Sequence, residues 1–425
     1  MTSTALRVGL VGFGTASSVF HAPLLQSANG RFVISHVLER STNKSATALT
    51  PAPTVVRSMA ELLAAPIDVV VIATPTSVHF EQAKESLLAK KHVVVDKPLC
   101  LTAAQAQELV DLSRAQGVVF TVFHNRRWDS DFLTLQSLLA AGKLGEVTHY
   151  EAHFDRYRPT LKGYWKEKAA PGGGILYDLG AHLVDQALVL FGTPDAVQAD
   201  VQIQREGAEN DDYFRLELSY SARPSLKVVL TAGMLVKEPG PKLIVEGSNG
   251  RLEKFGEDVQ EQSLRDGRRP GDDGWGREPA TQHATFTHSA TGAKETIESV
   301  PGSYEVFYAN LADAIQHGAT RLVDPQEIVA QIRILEDAKR STRRMVGACG
   351  AVPGARRDAR LASTTTRVAG ELLDDSARAS QTASCWATRR VSTPSFVGRL
   401  RRHGDCELAR VAEQPCERRA VETAP

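Results

Sequence analysis

The residues of this chain best suited to proton chemistry are one lysine, two aspartates and one histidine. Lys97 stands in Val93-Val94-Val95-Asp96-Lys97-Pro98-Leu99, at the carboxyl end of an apolar run. Open α/β sheets place their ligands at that end of a strand, although a strand-end lysine can equally face water. The other three lie in Pro171-Gly172-Gly173-Gly174-Ile175-Leu176-Tyr177-Asp178-Leu179-Gly180-Ala181-His182-Leu183-Val184-Asp185. A glycine triplet opens a helix there. Asp178 and His182 are four apart, on one helical face, and Asp185 follows three residues later on the same side. Taken alone, a helical histidine among apolar residues is more often a core residue than a chemical one.

A second group of residues is suited to holding phosphate. Gly12-Phe13-Gly14-Thr15-Ala16-Ser17 follows an apolar run and precedes a helix, the context that a dinucleotide fingerprint requires. Gly12 permits the tight turn, Gly14 lets the backbone approach a pyrophosphate, and the helix N-terminus presents N–H groups to it. Ser17 replaces the third glycine, a departure expected to loosen helix–strand packing. Beyond the second strand, Glu39 could accept hydrogen bonds from a ribose 2′-hydroxyl and so favour NAD. Arg40, Ser41 and Lys44 could instead hold a 2′-phosphate and favour NADP, the cofactor slightly preferred.

These residues need a scaffold, and the pattern supplies one. Apolar runs at Arg7–Val11, Phe32–Leu38, Asp68–Ala73, Lys91–Val95 and Val118–Phe123 alternate with helical stretches from about Ser18, Val78–Lys90 and Ala103–Gln116. That alternation predicts an α/β fold beginning with a doubly wound parallel sheet, a Rossmann domain over 1–123. From His124 the pattern changes. After a helix at Ser130–Ala140, strands at Val147–Phe154, Ala196–Gln204, Asp212–Tyr220, Leu226–Gly233 and Lys242–Glu246 lack crossover helices. They predict a largely antiparallel open sheet in an α+β domain over 124–346. A helix over Leu176–Leu190 interrupts them, Gly256–Pro279 reads as a long surface loop, and Tyr304–His317 and Gln326–Arg344 close the domain. Residues 347–425 contain thirteen arginines but no Lys, Ile, Asn or Tyr. With so little periodicity the stretch is expected to stay disordered and outside the working part, as a read-through or frame-shifted extension would be.

Together, the Gly-Phe-Gly turn, Phe20-His21-Ala22-Pro23, Ala73-Thr74-Pro75-Thr76 with His79, Asp96-Lys97-Pro98 and the Gly-Gly-Gly…Asp178…His182 segment resemble the glucose–fructose oxidoreductase / inositol dehydrogenase / rhizopine catabolism (Gfo/Idh/MocA) family. The resemblance runs from residue 6 to about 346. His124-Asn125-Arg126-Arg127-Trp128-Asp129, Asp155-Arg156-Tyr157-Arg158-Pro159 leading to Trp165-Lys166-Glu167, and Asp258-Val259-Gln260-Glu261 through Trp275-Gly276 look like its NADP-dependent scyllo-inositol dehydrogenase branch. The resemblance implies a hydride exchanged between nicotinamide and a hydroxyl-bearing carbon of a sugar or cyclic polyol. Lys97 would hydrogen-bond the reacting hydroxyl, His182 would take or return its proton, and Asp178 would fix the substrate or orient the imidazole. Thr74, Pro75, His79 and Asp96 would join Gly12 to Ala16 around the cofactor. Arg156, Arg158, Trp165 and Asp185 are candidate substrate contacts. The rivals are a non-catalytic dinucleotide- or sugar-sensing regulator of the same fold and an NAD-assisted glycosidase or epimerase.

The bulk properties agree. A formal net charge of +0 supplies no field favouring nucleic acid or an anionic membrane. The apolar runs are strand-sized, no secretory leader precedes the first strand, and Cys100 is the only cysteine before residue 347. These observations predict a cytoplasmic enzyme with a small-molecule substrate and no disulfide framework. No metal is assigned: His149 and His153, four apart in a strand, have no evident carboxylate–histidine partner set. The open sheet is the expected surface for a homodimer or homotetramer.

Overall fold

The computed structural model describes residues 4–344 and the pair Thr366–Arg367. The expectation for 347–425 otherwise lies outside the described residues. Six strands, β1 (Leu6–Val11), β2 (Phe32–Leu38), β3 (Thr54–Val56), β4 (Val69–Ile72), β5 (His92–Asp96) and β6 (Phe120–Phe123), form one sheet in the order β3-β2-β1-β4-β5-β6. Every pairing is parallel. Helices cover both faces, so Val69 to Ile72 and Val93 to Val95 have no exposed surface. That double covering explains why these strands read as unbroken apolar runs rather than alternating ones. The chain leaves β1 toward β2 on one side and later returns to β4 on the other. The crevice where strand order reverses therefore opens at the carboxyl ends of β1 and β4.

The second sheet contains β7 (Val147–Asp155), β8 (Ala196–Ile203), β9 (Tyr213–Ser219), β10 (Lys227–Gly233), β11 (Leu243–Gly247), β12 (Gly250–Lys254), β13 (Ala284–His288), β14 (Lys294–Ile297) and β15 (Arg343–Arg344). They run in the order β14-β13-β12-β11-β7-β10-β9-β8-β15, and Thr366–Arg367 also pairs with β8. The sheet is mixed rather than purely antiparallel. β7 and β10 pair in parallel because β8, β9 and β10 form their own antiparallel run, which docks on β7 after the intervening helix. On β7, Tyr150, Ala152 and Phe154 are buried, whereas His149, Glu151, His153 and Asp155 stay partly exposed on the opposite face. That alternation is the signature of a sheet with one face packed on a core.

The segment expected as a surface loop is partly interior. Gln260–Arg265 is helical, and Asp258, Gln260, Ser263, Leu264 and Trp275 are buried. Polarity misleads here because the buried groups are hydrogen-bonded. Asp258 accepts the Ser130 N–H at 2.8 Å, and Gln260 donates to the Trp128 carbonyl at 3.0 Å.

The two halves are tied by the helix Pro325–Arg340, which packs against both Ala103–Gln116 and Ala181–Phe191. Thr121 donates to the Val323 carbonyl at 2.8 Å, and the His21 ring meets the Tyr308 hydroxyl at 2.7 Å. Residues from β4, β5 and the Leu176 helix are thereby held in one frame.

Candidate active site

The glycine turn at the end of β1 is shaped for a phosphate. Gly12 has φ +88°, and a Cβ there would sit 3.2 Å from the Ala73 carbonyl oxygen, so its glycine is required twice over. Gly14 is exposed, and nothing lies within 4 Å of where its Cβ would be. Neither strain nor packing demands a glycine at 14; the space above it is what an incoming group would occupy. Ser17, expected to loosen the packing, instead tightens the turn, because its buried hydroxyl donates to the Gly12 carbonyl at 2.6 Å. The helix that follows begins at Ala16 with a π-wound turn to His21 and continues as α-helix over Ala22–Gln26. An open glycine face before a helix start, with Phe13, Thr15 and Ala16 around it, fits a dinucleotide pyrophosphate.

At the end of β2 the structure corrects one expectation. Glu39 is buried, and its carboxylate accepts from the Thr42 hydroxyl, the Lys44 N–H at 3.0 Å, the Ser45 N–H at 2.8 Å and the Ser45 hydroxyl at 2.5 Å. It caps the short helix Lys44–Ala48 rather than facing a ribose. Burial pushes this carboxyl up, but those hydrogen bonds hold it below its usual range. Arg57, which sequence reasoning passed over, braces the same loop through the Glu39 carbonyl at 2.6 Å and Asn43 Oδ1 at 2.6 Å. Arg40, Ser41 and Lys44 remain exposed around it.

The β4 and β5 turns are clamped together by His79. Its buried ring contacts the Thr74 carbonyl at 2.8 Å and the Pro98 carbonyl at 3.0 Å, leaving Pro75 exposed between them. His79 is thus a brace behind the crevice. Asp96 accepts the Lys97 N–H at 2.8 Å, which fixes the start of the cis Lys97–Pro98 step.

Lys97 reaches across to the second half of the chain. Its Nζ donates to the Asp178 carbonyl at 2.8 Å and to Asp178 Oδ1 at 3.0 Å. Asp178 lies on a π-wound segment, Leu176–Gly180, which leads into the α-helix Ala181–Phe191. Such π-turns inside helices recur at functional sites. The preceding glycines are there for fit. A Cβ on Gly173 would come within 2.4 Å of Asn210 Nδ2, and one on Gly174 within 2.1 Å of Asp211 Oδ1. Asp211 in turn accepts the Leu176 N–H at 2.7 Å and anchors the helix start. No sequence signal in Asn210-Asp211-Asp212 marks that cap.

His182 is buried beside Phe154, with ring centroids 6.3 Å apart, and its Nδ1 has no hydrogen-bond partner among the described residues. Burial, and after it the positive charges of Lys97 and Arg126, hold its pKa well below the usual 6.5. The ring is therefore neutral at pH 7 and able to take a proton. The expected orientation of the imidazole by Asp178 is not made: Asp178 is bonded to lysines, and no hydrogen bond joins it to His182. Burial raises the Asp178 carboxyl, but Lys97 and Lys166 together drive it far below its usual range. Burial also lowers the Lys97 pKa, with Asp178 opposing.

The candidate substrate residues divide. Both Asp185 oxygens accept from Arg127, at 2.9 and 2.8 Å, and its carboxylate is buried beside His124 at 3.6 Å. This pair holds the helix to the β6 end, so Asp185 is a structural anchor rather than a substrate contact. Arg156 lies 3.7 Å from Glu257, while Arg158 and Trp165 are exposed. His149 and His153 do have carboxylate partners: Glu151 lies between them at 3.0 and 3.1 Å, and Asp155 meets His153 at 3.0 Å. The four groups string out along one strand face instead of converging on a point. Two residues outside the expected set stand at the centre. His124 is buried, neither ring nitrogen makes a hydrogen bond among the described residues, and burial lowers its pKa to about 4. Lys166 Nζ lies 2.7 Å from Asp178 Oδ1.

The parallel sheet, with the Lys97–Asp178 pair beyond its strand ends, has the form of a dinucleotide-binding domain, and the likeness to known proteins agrees. Residues 6–124 match the model described as oxidoreductase family, NAD-binding Rossmann fold, and residues 136–346 match its C-terminal alpha/beta domain. The chain belongs to the Gfo/Idh/MocA oxidoreductase family. It is 42% identical over 335 residues to the uncharacterized oxidoreductase YdgJ of Escherichia coli, covering 79% of this chain and 95% of that one. It is 39% identical over 341 residues to the NADP(+)-dependent scyllo-inositol 2-dehydrogenase IolW of Bacillus subtilis, covering 80% and 94%. Among solved structures, the putative oxidoreductase YvaA of Bacillus subtilis superposes with a TM-score of 0.76 at 38% identity, covering 80% of this chain and 97% of that one. No helix among the described residues is long and apolar enough to cross a membrane.

Proposed function

We propose that the protein is an NADP-preferring dehydrogenase that exchanges a hydride with a ring carbon of a cyclic polyol or sugar, as the likeness to a scyllo-inositol dehydrogenase suggests. The observation that carries this reading is the Lys97–Asp178 pairing beside a neutral, buried His182 at the mouth of the dinucleotide crevice. NAD(P), when bound, supplies the hydride acceptor or donor at nicotinamide C4.

The side chains supply the rest. Asp178 engages two of the three Lys97 N–H donors, which aims the third at the reacting hydroxyl. As that oxygen loses its proton to His182, the Lys97 ammonium stabilises the developing alkoxide. Burial of His182 excludes water from the exchange and keeps the ring unprotonated until substrate arrives. In the reductive direction the same imidazole, protonated, returns the proton.

The cofactor preference follows from Glu39. With both carboxylate oxygens committed to the Lys44 helix, the usual ribose acceptor is absent, and the exposed Arg40, Ser41 and Lys44 suit a phosphate. Absorbance at 340 nm across inositols, glucose and xylose should therefore show reduction of NADP at a higher kcat/KM than NAD, by about tenfold or more. Equal use of both cofactors would remove the Glu39 argument; no reduction with any pair would remove the polyol reading.

We further propose a cytoplasmic enzyme with a small substrate, without nucleic-acid or membrane partners, that forms a homodimer or homotetramer through the open face of the second sheet. Light scattering should give a mass of two or four chains. A Glu151→Lys change on that face should lower it, because it sets a cation between His149 and His153 where the second sheet would meet another copy. A monomeric wild type would contradict the proposal.

A further inference from the structure

The Lys97, Asp178 and His182 set leaves one charged contact in the centre unexplained. Lys166 Nζ meets Asp178 Oδ1 at 2.7 Å, closer than the 3.0 Å of Lys97 to the same oxygen. One carboxylate oxygen thus bridges two ammonium groups, one from the end of β5 and one from the loop between β7 and the Leu176 helix.

That loop is built to hold Lys166 in place. The short 3-10 turn Trp165–Glu167 carries it, and the Lys166 carbonyl accepts the Gly174 N–H at 2.8 Å. Glu167 folds back to accept the N–H groups of Lys162 at 2.9 Å and Tyr164 at 3.3 Å. The other Glu167 oxygen receives the buried Arg205 at 3.2 Å, and Arg205 is fixed by Asp212 at 2.9 Å. The backbone on either side of Lys166 is therefore tied to the second sheet, while its side chain remains half exposed toward the site mouth.

We propose that Lys166 is a positioning residue of the reaction centre: by sharing Asp178 Oδ1 it keeps that carboxylate from fully neutralising Lys97, and so sets how strongly Lys97 acts on the substrate oxygen. The inference rests on the dehydrogenase reading and deepens it. Two electrostatic effects act in one direction. The Lys166 charge repels the ammonium form of Lys97, and it draws off part of the Asp178 charge that would otherwise favour that form. Removing Lys166 lifts the repulsion and returns the whole carboxylate to Lys97. A loop lysine that served only to anchor its own segment would leave Lys97 unaffected.

The test reads Lys97 directly, without cofactor or substrate. The full chain is exposed to acetic anhydride across a pH series, and acetylation of Lys97 is quantified by mass spectrometry in wild type, Lys166→Gln and Lys166→Arg. The Lys97 titration midpoint should rise by about one pH unit in Lys166→Gln and return close to wild type in Lys166→Arg. Lys166→Met, which keeps part of the aliphatic stem, replaces Lys166→Gln if thermal melting shows the latter unfolded. A midpoint unchanged in the neutral variant would overturn the proposal. The basic limb of kcat/KM, where the Lys97 ammonium is lost, should move up in pH together with the labelling midpoint. Failure of wild type to oxidise any polyol would instead count against the dehydrogenase reading, and the labelling result would still decide the role of Lys166.

Discussion

Replacing His182 by Asn should lower kcat for polyol oxidation by about 10² to 10⁴-fold while leaving the Kd for NADP unchanged. Two imidazoles at the site, His182 and His124, are buried and neutral at pH 7, and His182 is the one carried on the helix that continues from the Asp178 turn. Lys97 is a donor to Asp178, and the Asp178 carboxylate is too strongly stabilised by two ammonium groups to accept a proton near neutrality. Asn fills a similar volume beside Phe154 but cannot take the hydroxyl proton. The pH dependence has a definite sign. Burial, and after it the charges of Lys97 and Arg126, hold the ring below 6.5, so the acid limb of wild-type oxidation should fall below pH 6.5. That limb should vanish in the variant. A variant within a factor of about three of wild type would place the general base elsewhere.

The second large effect is expected at Gly14. A Gly14→Val chain should fold with near-wild-type stability yet bind NADP about 10 to 100 times more weakly. The site for the new side chain is empty, and the backbone there is not in the left-handed region, so folding has no reason to suffer. A pyrophosphate lying on that face would collide with the methyls and lose a charge-assisted hydrogen bond worth about 1.5–3 kcal/mol. Fluorescence titration with NADPH, alongside a thermal melt, separates the two quantities. The contrast with Gly12 sharpens the point. There a substitution meets both a positive φ and the Ala73 carbonyl, so stability and affinity should fall together.

How far these residues could be read from sequence depends on the physics that places them. Strands β1, β2, β4, β5 and β6 were visible because burial on both faces demands unbroken apolar runs. The short β3 and the helices Lys44–Ala48 and Met59–Ala64 span three to six residues each, too few to establish a period, and only the structure shows them. Lys97 and Asp178 were grouped in advance only through the family resemblance, and the structure shows the contact between them. Asp185 could not be separated from them by spacing, since one helical face can carry both an anchor and a chemical group. Glu39 shows the opposite difficulty: its residue type suits a ribose, yet the loop that follows it competes for the same oxygens. Lys166 sits in a polar loop where a lysine is unremarkable, and only its fold-back onto Asp178 marks it. The interior course of residues 256–279 was hidden because hydrogen-bonded polar groups can be buried without any apolar signal.

Direct hydride transfer from a polyol ring carbon at this site can be followed by isotope tracing. Scyllo-inositol deuterated on its ring carbons is incubated with NADP and the protein, and the reduced cofactor is analysed by mass spectrometry, with Lys97→Ala in parallel. Direct transfer gives NADPH carrying one deuterium from the polyol, with none formed by the variant. Unlabelled NADPH, or equal yields from wild type and Lys97→Ala, would contradict it.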